Sequence, residues 1–273
     1  METVEHQAAQ RHLQAALEEK QYRLHYQPQI DPRTGRIVGA EALLRWRGPA
    51  GELFAPGHFL HALEATGLIV PVGLWAFRQA AEDCQGWQRL GLPRLKMGLN
   101  VSPAQLGPSD VEALVEQVVQ MRGTCDVQIE ISGRHLLAPP DWLLKSLEAL
   151  RATGADITVQ DFGLDDSIHK RLWALPVDAL KIHRSFISRM SDGEVDDELA
   201  GMFMLARAFR MGSVAEGVET EEQLKRLGQL YCERSQGFLH SPPVSPDRFA
   251  WMLRDGLHAP GVDDPHMAAA FDA

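Results

Sequence analysis

From Leu95 onward the chain keeps one rhythm: a short apolar strand, a polar junction, then an amphipathic helix. The strands read LKMGLNV, VQIEI, ITVQD, ALKIH, SVAEGV and LYCERSQG. Between them VEALVEQVVQM, DWLLKSLEALRATG, DELAGMFMLARAF and EEQLKRLGQL carry the helical period. Alternation in units of roughly 30 residues commits a chain to a parallel sheet with helices outside, because a parallel neighbour is reached only through a crossover. Upstream, YRLHYQPQI and RIVGAEALLRW alternate like strands and are joined by a DPRTG turn, as in a hairpin. HFLHALEAT and VGLWAFRQAAEDCQGWQRLG then read as helices. Six strands and the two of the hairpin make eight, which predicts an α/β fold of the closed (β/α)8 barrel type. An open doubly wound sheet is the second reading, weakened because no G-x-G-x-x-G follows the first strand.

No linker splits the chain, so one barrel domain is expected over residues 21–257. Residues 5–19 read as a helix with Leu13, Ala16 and Leu17 on one face. Residues 1–20 are thus expected to be a connector from something upstream. HAPGVDDPHMAAAFDA, residues 258–273, has little periodicity and is expected to be a loose tail. The net charge of -10 opposes non-specific nucleic-acid binding, and a small anionic ligand would need local arginines or a bound metal. Cys84, Cys125 and Cys232 lack metal spacing and suit free thiols in a reducing cytoplasm. No apolar run is long enough to span a bilayer, and METVEHQAAQRHLQ is not a signal peptide. Any membrane anchor is therefore expected elsewhere.

Barrels keep their chemistry where strands end at the C-terminal edge. Here the strands bring Glu41, Asn100, Glu130, Gln160 with Asp161, Lys181, Glu216 and Gln236 toward that edge. Facing carboxylates repel by about 4 kcal/mol per pair at ~4 Å with an effective dielectric near ~20. Such a cluster persists with protonation, cationic partners or bound metal. Carboxylate oxygens with one Asn suit Mg2+, Mn2+ or Ca2+, and two such ions could clamp a phosphodiester and activate water. A single strand-end acid is more often a cap or a surface charge; acids on several strands are harder to explain that way. Lys181 also raises the idea of a Schiff-base lysine, but nearby carboxylates raise an amine pKa where that chemistry needs it lowered.

EALLRW, residues 41–46, resembles the signature of EAL domains. YQPQIDPRTGRIVGAEALLRW, GLIVPVGLWAF, LNVSPAQL, LPVDALKIHRSFI, AEGVETEEQL and SQGFL each resemble a family block, in family order, from about Tyr22 to Leu253. The resemblance implies a modified (β/α)8 barrel with an early antiparallel strand. It also implies hydrolysis of one phosphodiester bond of cyclic di-GMP to linear pGpG, with Mg2+ or Mn2+. Carried over by position, Glu41, Asn100, Glu130, Asp161 and Glu216 resemble ligands of metal or metal-held water. Lys181 resembles the lysine at the attacking water and, with Glu216, a catalytic residue. Gln27, Glu41, Arg45 and Gln236 resemble the walls of the nucleotide site.

Four departures stand against that pattern. The family's D-D-F-G is Q-D-F-G here, with Gln160 first. A carboxylate can bridge two cations through two oxygens; an amide offers one oxygen and an NH2 that binds no metal. The usual G-T-G-Y-S-S-L continues here as GLDDSIHKRL, residues 163–172. Gly133 stands where a second Glu steadies that loop, and His183 replaces the acid of K-I-D. Asp165 or Asp166 could restore a charge, though both read more simply as solvated loop acids, and His183 reads as a structural histidine. The expectation is therefore a cyclic di-GMP receptor with a degenerate metal centre, possessing no bound metal or holding Mg2+ or Mn2+ if active. Its output would pass to a protein partner or an upstream signalling domain, with a homodimer and the loop over 163–172 as candidates. The alternatives are a weak or conditional phosphodiesterase and a partner-binding barrel without nucleotide function.

Overall fold

The DPRTG turn sets the first two strands antiparallel. Asp31 accepts from the N–H groups of Thr34 and Gly35 at 3.2 and 2.9 Å, and Gly35 supplies the positive φ of 69°. In the computed structural model, which describes residues 2–48, 51–165, 167–190 and 196–257 (2–9 and 196 as backbone only), β1 (Tyr22–Ile30) pairs along its length with β2 (Ile37–Arg47). The expected tail over 258–273 and Asp166 lie outside the described residues.

Beyond the hairpin, helical crossovers keep neighbouring strands parallel. β2, β4 (Lys96–Asn100), β5 (Asp126–Ser132), β6 (Asp156–Phe162), β7 (Ala179–Ile182), β8 (Gly212–Glu216) and β9 (Arg234–Gln236) pair in that order, each parallel to the next. β1 closes the ring, antiparallel to both β2 and β9. The result is the expected eight-stranded barrel with one antiparallel strand; the short β3 (Leu53–Phe54) adds outside, on the far end of β2.

The strands' two-residue period divides the interior from the shell. On β5, Val127, Ile129 and Ile131 are buried against the helical layer, while Gln128 and Glu130 point into the barrel. The outer layer is built by α3 (Ile69–Arg89), α4 (Val111–Met121), α5 (Asp141–Ala152), α7 (Asp196–Ala208) and α8 (Glu221–Gln229), after the short α2 (Leu60–Ala65). The T-E-E-Q run starts α8 as a capping box: Thr220 accepts from Gln223 N–H, and the Gln223 side chain accepts from Thr220 N–H. α1 (Glu2–Glu18) is docked on the barrel: Leu13 and Ala16 are buried in a satellite core with Tyr22, Phe59, Leu63 and Val72.

Two strand expectations need correction. LYCERSQG is strand only over Arg234–Gln236, because Cys232 N–H and Tyr231 N–H still satisfy carbonyls of α8 and Tyr231 is left-handed at φ 59°. SVAEGV ends as a strand at Glu216, where Gly217 turns at φ 73°. Two helices escaped the sequence reading, α6 (Arg184–Ser188) and α9 (Pro246–Asp255). α9 carried a local signal: Ser245 accepts from Arg248 N–H as N-cap, and Pro246 follows in the first turn. Phe249 of α9 packs with Tyr26 and Trp87 at ring separations of 5.8 and 5.0 Å outside β1. All three cysteines are free and buried.

Candidate functional site

Lys181 is the centre of the barrel mouth. Its ammonium, fully buried on β7, lies 2.7 Å from Glu41 Oε2, 2.7 Å from Glu130 Oε2 and 2.8 Å from Glu216 Oε1. Burial alone would pull its pKa down, but the charges of Glu130, Glu216 and Glu41 outweigh that and hold it well above the ordinary lysine value. A Schiff-base role, which needs a free amine, is disfavoured by this setting.

The three carboxylates differ. Burial works to raise Glu41, yet Lys181 and the N–H groups of Asn100 and Gln236 bring it below the usual glutamate range. Glu130 and Glu216 are pushed upward, chiefly by burial, with Lys181 opposing and the charge of Glu41 adding to the rise. Space for Glu130 comes from β4, where a Cβ on Gly98 would stand 2.2 Å from Glu130 Oε1.

Amides fill the gaps between the charges. Asn100 Nδ2 donates to Glu41 Oε1 at 2.7 Å, and Gln236 Nε2 donates to Glu41 Oε2 at 2.6 Å and Gln27 Oε1 at 2.7 Å. Gln160 Nε2 donates to Asn100 Oδ1 at 2.5 Å and to Glu130 Oε2 at 2.8 Å. One layer deeper, Arg234 donates to Gln29 Oε1 at 2.5 Å and Gln128 Oε1 at 2.6 Å. Arg234 was missed in the sequence; its signal was its place two residues before Gln236, on the same face of β9.

Asp161 stands apart from the lysine cluster. It sits at a bulge between β6 and β7, in the left-handed region at φ 57°, and accepts from Ser132 Oγ at 2.8 Å. Arg45 lies four residues beyond Glu41 on the same face of β2; it is half-buried and donates to the Leu44 carbonyl at 2.8 Å. His183 caps α6, accepting from Ser185 N–H at 3.3 Å, a structural role. Asp165 is an exposed loop acid that accepts from Ser167 N–H at 2.8 Å. Gly133 is buried against Ile168, whose Cδ1 would lie 3.1 Å from an added Cβ. The sequence-selected Gln27, Glu41, Asn100, Glu130, Gln160, Lys181, Glu216 and Gln236 therefore form one bonded cluster, while Asp161 and Arg45 flank it.

An apolar cavity of about 260 Å³ opens beside Glu41 and Asn100, walled by Leu43, Pro56, Leu60 and Phe77. A larger groove of about 870 Å³ runs between α1, β1 and α3 and touches none of the clustered residues. Chemistry rather than volume marks the site.

Among the described residues, no group of three or more His, Cys, Asp or Glu stands in metal-holding geometry. The carboxylates converge on Lys181 instead. As a donor set, Glu41, Asn100, Glu130 and Glu216 fit one hard divalent cation. A second cation would be fitted poorly, because Gln160 turns N–H groups rather than oxygens toward Asn100 and Glu130.

A closed mixed barrel with carboxylates, amides and one lysine at its C-terminal mouth is the architecture of a TIM-barrel-like protein with its site at the strand ends. Residues 10–243 match the EAL domain, and the chain belongs to that family. It is 34% identical over 235 residues to the cyclic di-GMP phosphodiesterase NbdA of Pseudomonas aeruginosa, covering 85% of this chain and 30% of that protein. The structure of the PaMucR phosphodiesterase in complex with cyclic di-GMP superposes with a TM-score of 0.80 at 33% identity, covering 89% of this chain and 99% of that one. The EAL enzyme Bd1971, in its form bound to cAMP and cyclic di-GMP, gives 0.82 at 27% identity over 93% of this chain and 70% of that one. The chain spans about a third of the length of curated relatives such as NbdA and MucR.

Proposed function

We propose that this EAL domain binds cyclic di-GMP and acts as a receptor with little or no turnover. One observation carries the reading: residue 160 is an amide whose two N–H groups are spent on Asn100 Oδ1 and Glu130 Oε2. Relatives named as cyclic di-GMP phosphodiesterases and a complex with that nucleotide supply the ligand. In this reading Arg45 pairs with a ligand phosphate, a fork matched to two oxygens. Gln27 and Gln236 line the nucleotide, and the apolar cavity beside Glu41 offers room for part of it.

Glu41, Asn100, Glu130 and Glu216 are the residues that would hold a divalent cation, Mg2+ or Mn2+. When bound, such an ion supplies Lewis-acid activation of a phosphodiester and of water. Lys181 balances the carboxylates and Asp161 adds a charge at the rim. Without a bridging carboxylate the paired-cation state is the one weakened most. A loss of about 4 kcal/mol of transition-state stabilisation slows chemistry roughly a thousandfold. Binding through phosphate and base contacts needs no second cation.

Retention of the carboxylates and Lys181 in one cluster favours a second reading, a weak or Mn2+-dependent phosphodiesterase giving pGpG. We assign the output to an attached domain, a protein partner or a second copy, and the setting to the cytoplasm, in keeping with three free thiols. Calorimetry with cyclic di-GMP in EDTA and then in Mn2+ tests binding; chromatography after long incubation tests for pGpG. Binding that survives EDTA with no pGpG is expected, and rapid pGpG formation sinks the receptor reading. Gln160→Asp alone is expected not to bring back fast turnover, because Gly133 and Ile168 fill the place of the loop's acidic support.

A further inference from the structure

We infer that Gln160 holds the barrel mouth in shape without a cation, by closing a ring of side-chain hydrogen bonds that a carboxylate at that position would break. This deepens the receptor reading, on which it rests for the purpose of the site, and gives Gln160 a positive role as a positioning residue.

The ring can be followed bond by bond. Gln160 donates to Asn100, and Asn100 donates to Glu41. Glu41 accepts from Gln236, whose Oε1 in turn accepts from Gln29 at 3.1 Å. Arg234 links Gln29 to Gln128, and Gln128 donates to Glu130 Oε1 at 2.9 Å. Glu130 Oε2 accepts the second hydrogen of Gln160, and the circuit closes. Lys181 ties Glu41 and Glu130 across the middle and adds Glu216. Every one of the eight barrel strands contributes to the ring or its central tie.

Position 160 in this circuit must donate twice. Asn100 has turned its NH2 to Glu41 and presents only Oδ1, and Glu130 Oε2, which already accepts from Lys181, faces position 160 as an acceptor. An ionised Asp has no donor and a protonated one has a single O–H. A reversed amide would set Oε1 against two acceptors, so the orientation is imposed by the network. Charge points the same way. Lys181 faces Glu41, Glu130 and Glu216, Arg234 lies near Glu130, and a further carboxylate would add repulsion without adding a cation.

Cation binding and the ring compete for the same atoms. Asn100 and Glu130 would offer a cation their side-chain oxygens, and two of these, Oδ1 and Oε2, are the acceptors that Gln160 occupies. The native chain is thus preorganised without a cation and gains little from one. With Asp at 160 the relation inverts, and the mouth depends on the ion.

Thermal melting of the intact chain and of Gln160→Asp and Gln160→Ala, in EDTA and in Mn2+, tests this. The native chain is expected to melt at the same temperature in both media, within about 1 °C, and Gln160→Asp to fall by on the order of 5 °C in EDTA and recover in Mn2+. Gln160→Ala should fall and not recover, so the cation rescue separates this role from a merely structural one. The same rescue is expected in cyclic di-GMP affinity, with Gln160→Asp at least ~10-fold weaker in EDTA than in Mn2+. A Gln160→Asp chain as stable as the native one in EDTA overturns the inference, as does a native chain that gains as much from Mn2+. If Gln160→Asp does not fold, nitrogen-15 NMR of the native chain decides. The Gln160 NH2 pair, assigned by its loss in Gln160→Met, should stand away from random-coil positions in EDTA; a random-coil pair overturns the inference. Titrating cyclic di-GMP into the native chain in EDTA tests the receptor reading separately: failure to bind removes that reading and leaves the melting result to judge the ring.

Discussion

Lys181 concentrates the energetics of the site in one side chain. A fully buried ammonium touches three carboxylates, and its neighbours supply N–H donors to the oxygens left over. Removing one member of a buried charge cluster leaves the others unpaired, at about 3–5 kcal/mol. Lys181→Met is therefore expected to lose stability of that size in urea unfolding with EDTA present, and to regain part of it in Mn2+; a loss below ~1 kcal/mol would show that the glutamates protonate cheaply instead. Asp83 gives a pH signature away from the site. Burial raises its pKa, against the donors Tyr26 Oη at 2.5 Å and Gln79 Nε2 at 3.0 Å. A carboxyl with a raised folded pKa contributes stability that is full below its unfolded value and lost as pH rises through the folded one. The native chain should thus lose stability relative to Asp83→Asn as pH climbs out of the ordinary aspartate range, read by denaturant titration at several pH values.

β6 is the element that decides what the mouth contains. Strand alternation would send Gln160 and Asp161 to opposite faces. The bulge and the left-handed turn at Asp161 let both reach the mouth: Gln160 meets Glu130, while Asp161 meets Ser132 and adds its charge to Glu216. A β-branched residue tolerates that backbone poorly, whereas Asn accepts it. Asp161→Val is expected to be less stable than Asp161→Asn by about 1–2 kcal/mol, and equal melting of the two would mean that the bulge relaxes without cost. The following loop is anchored by apolar burial: Ile168 and Leu172 are 3% and 0% exposed, and Ile168 fills the space above Gly133.

The whole molecule is a barrel closed by its one antiparallel strand, with α1 laid across the outside of that strand's hairpin. Leu13 is 3% exposed and Ala16 0%, so α1 shares a core with Tyr22, Phe59 and Leu63. Leu13→Ala is expected to cost about 2–4 kcal/mol, measured by urea unfolding, with cyclic di-GMP affinity unchanged because Leu13 packs in the satellite core with Tyr22, Phe59 and Leu63 and not with the clustered residues. A neutral substitution would show that α1 is only tethered.

Much of this was legible in order along the chain. Two-residue and helical periods are local, so eight strands and their crossovers could be read directly, and a five-residue DPRTG turn makes the first pair antiparallel. Polar residues at strand ends named the cluster, since side-chain chemistry is written in the sequence. α9 could have been read from Ser245-Pro246, whereas the short β9 depended on how far α8 continued. What only the tertiary structure decided was which charge meets which partner. Lys181 meets Glu41 across 140 positions and Glu130 across 51, and Gln160 meets Asn100 across 60. Ionisation and hydrogen bonding depend on distances of a few ångströms. Those distances come into being only when the barrel closes, so the sequence named the groups and closure determined their charge, their direction and their use.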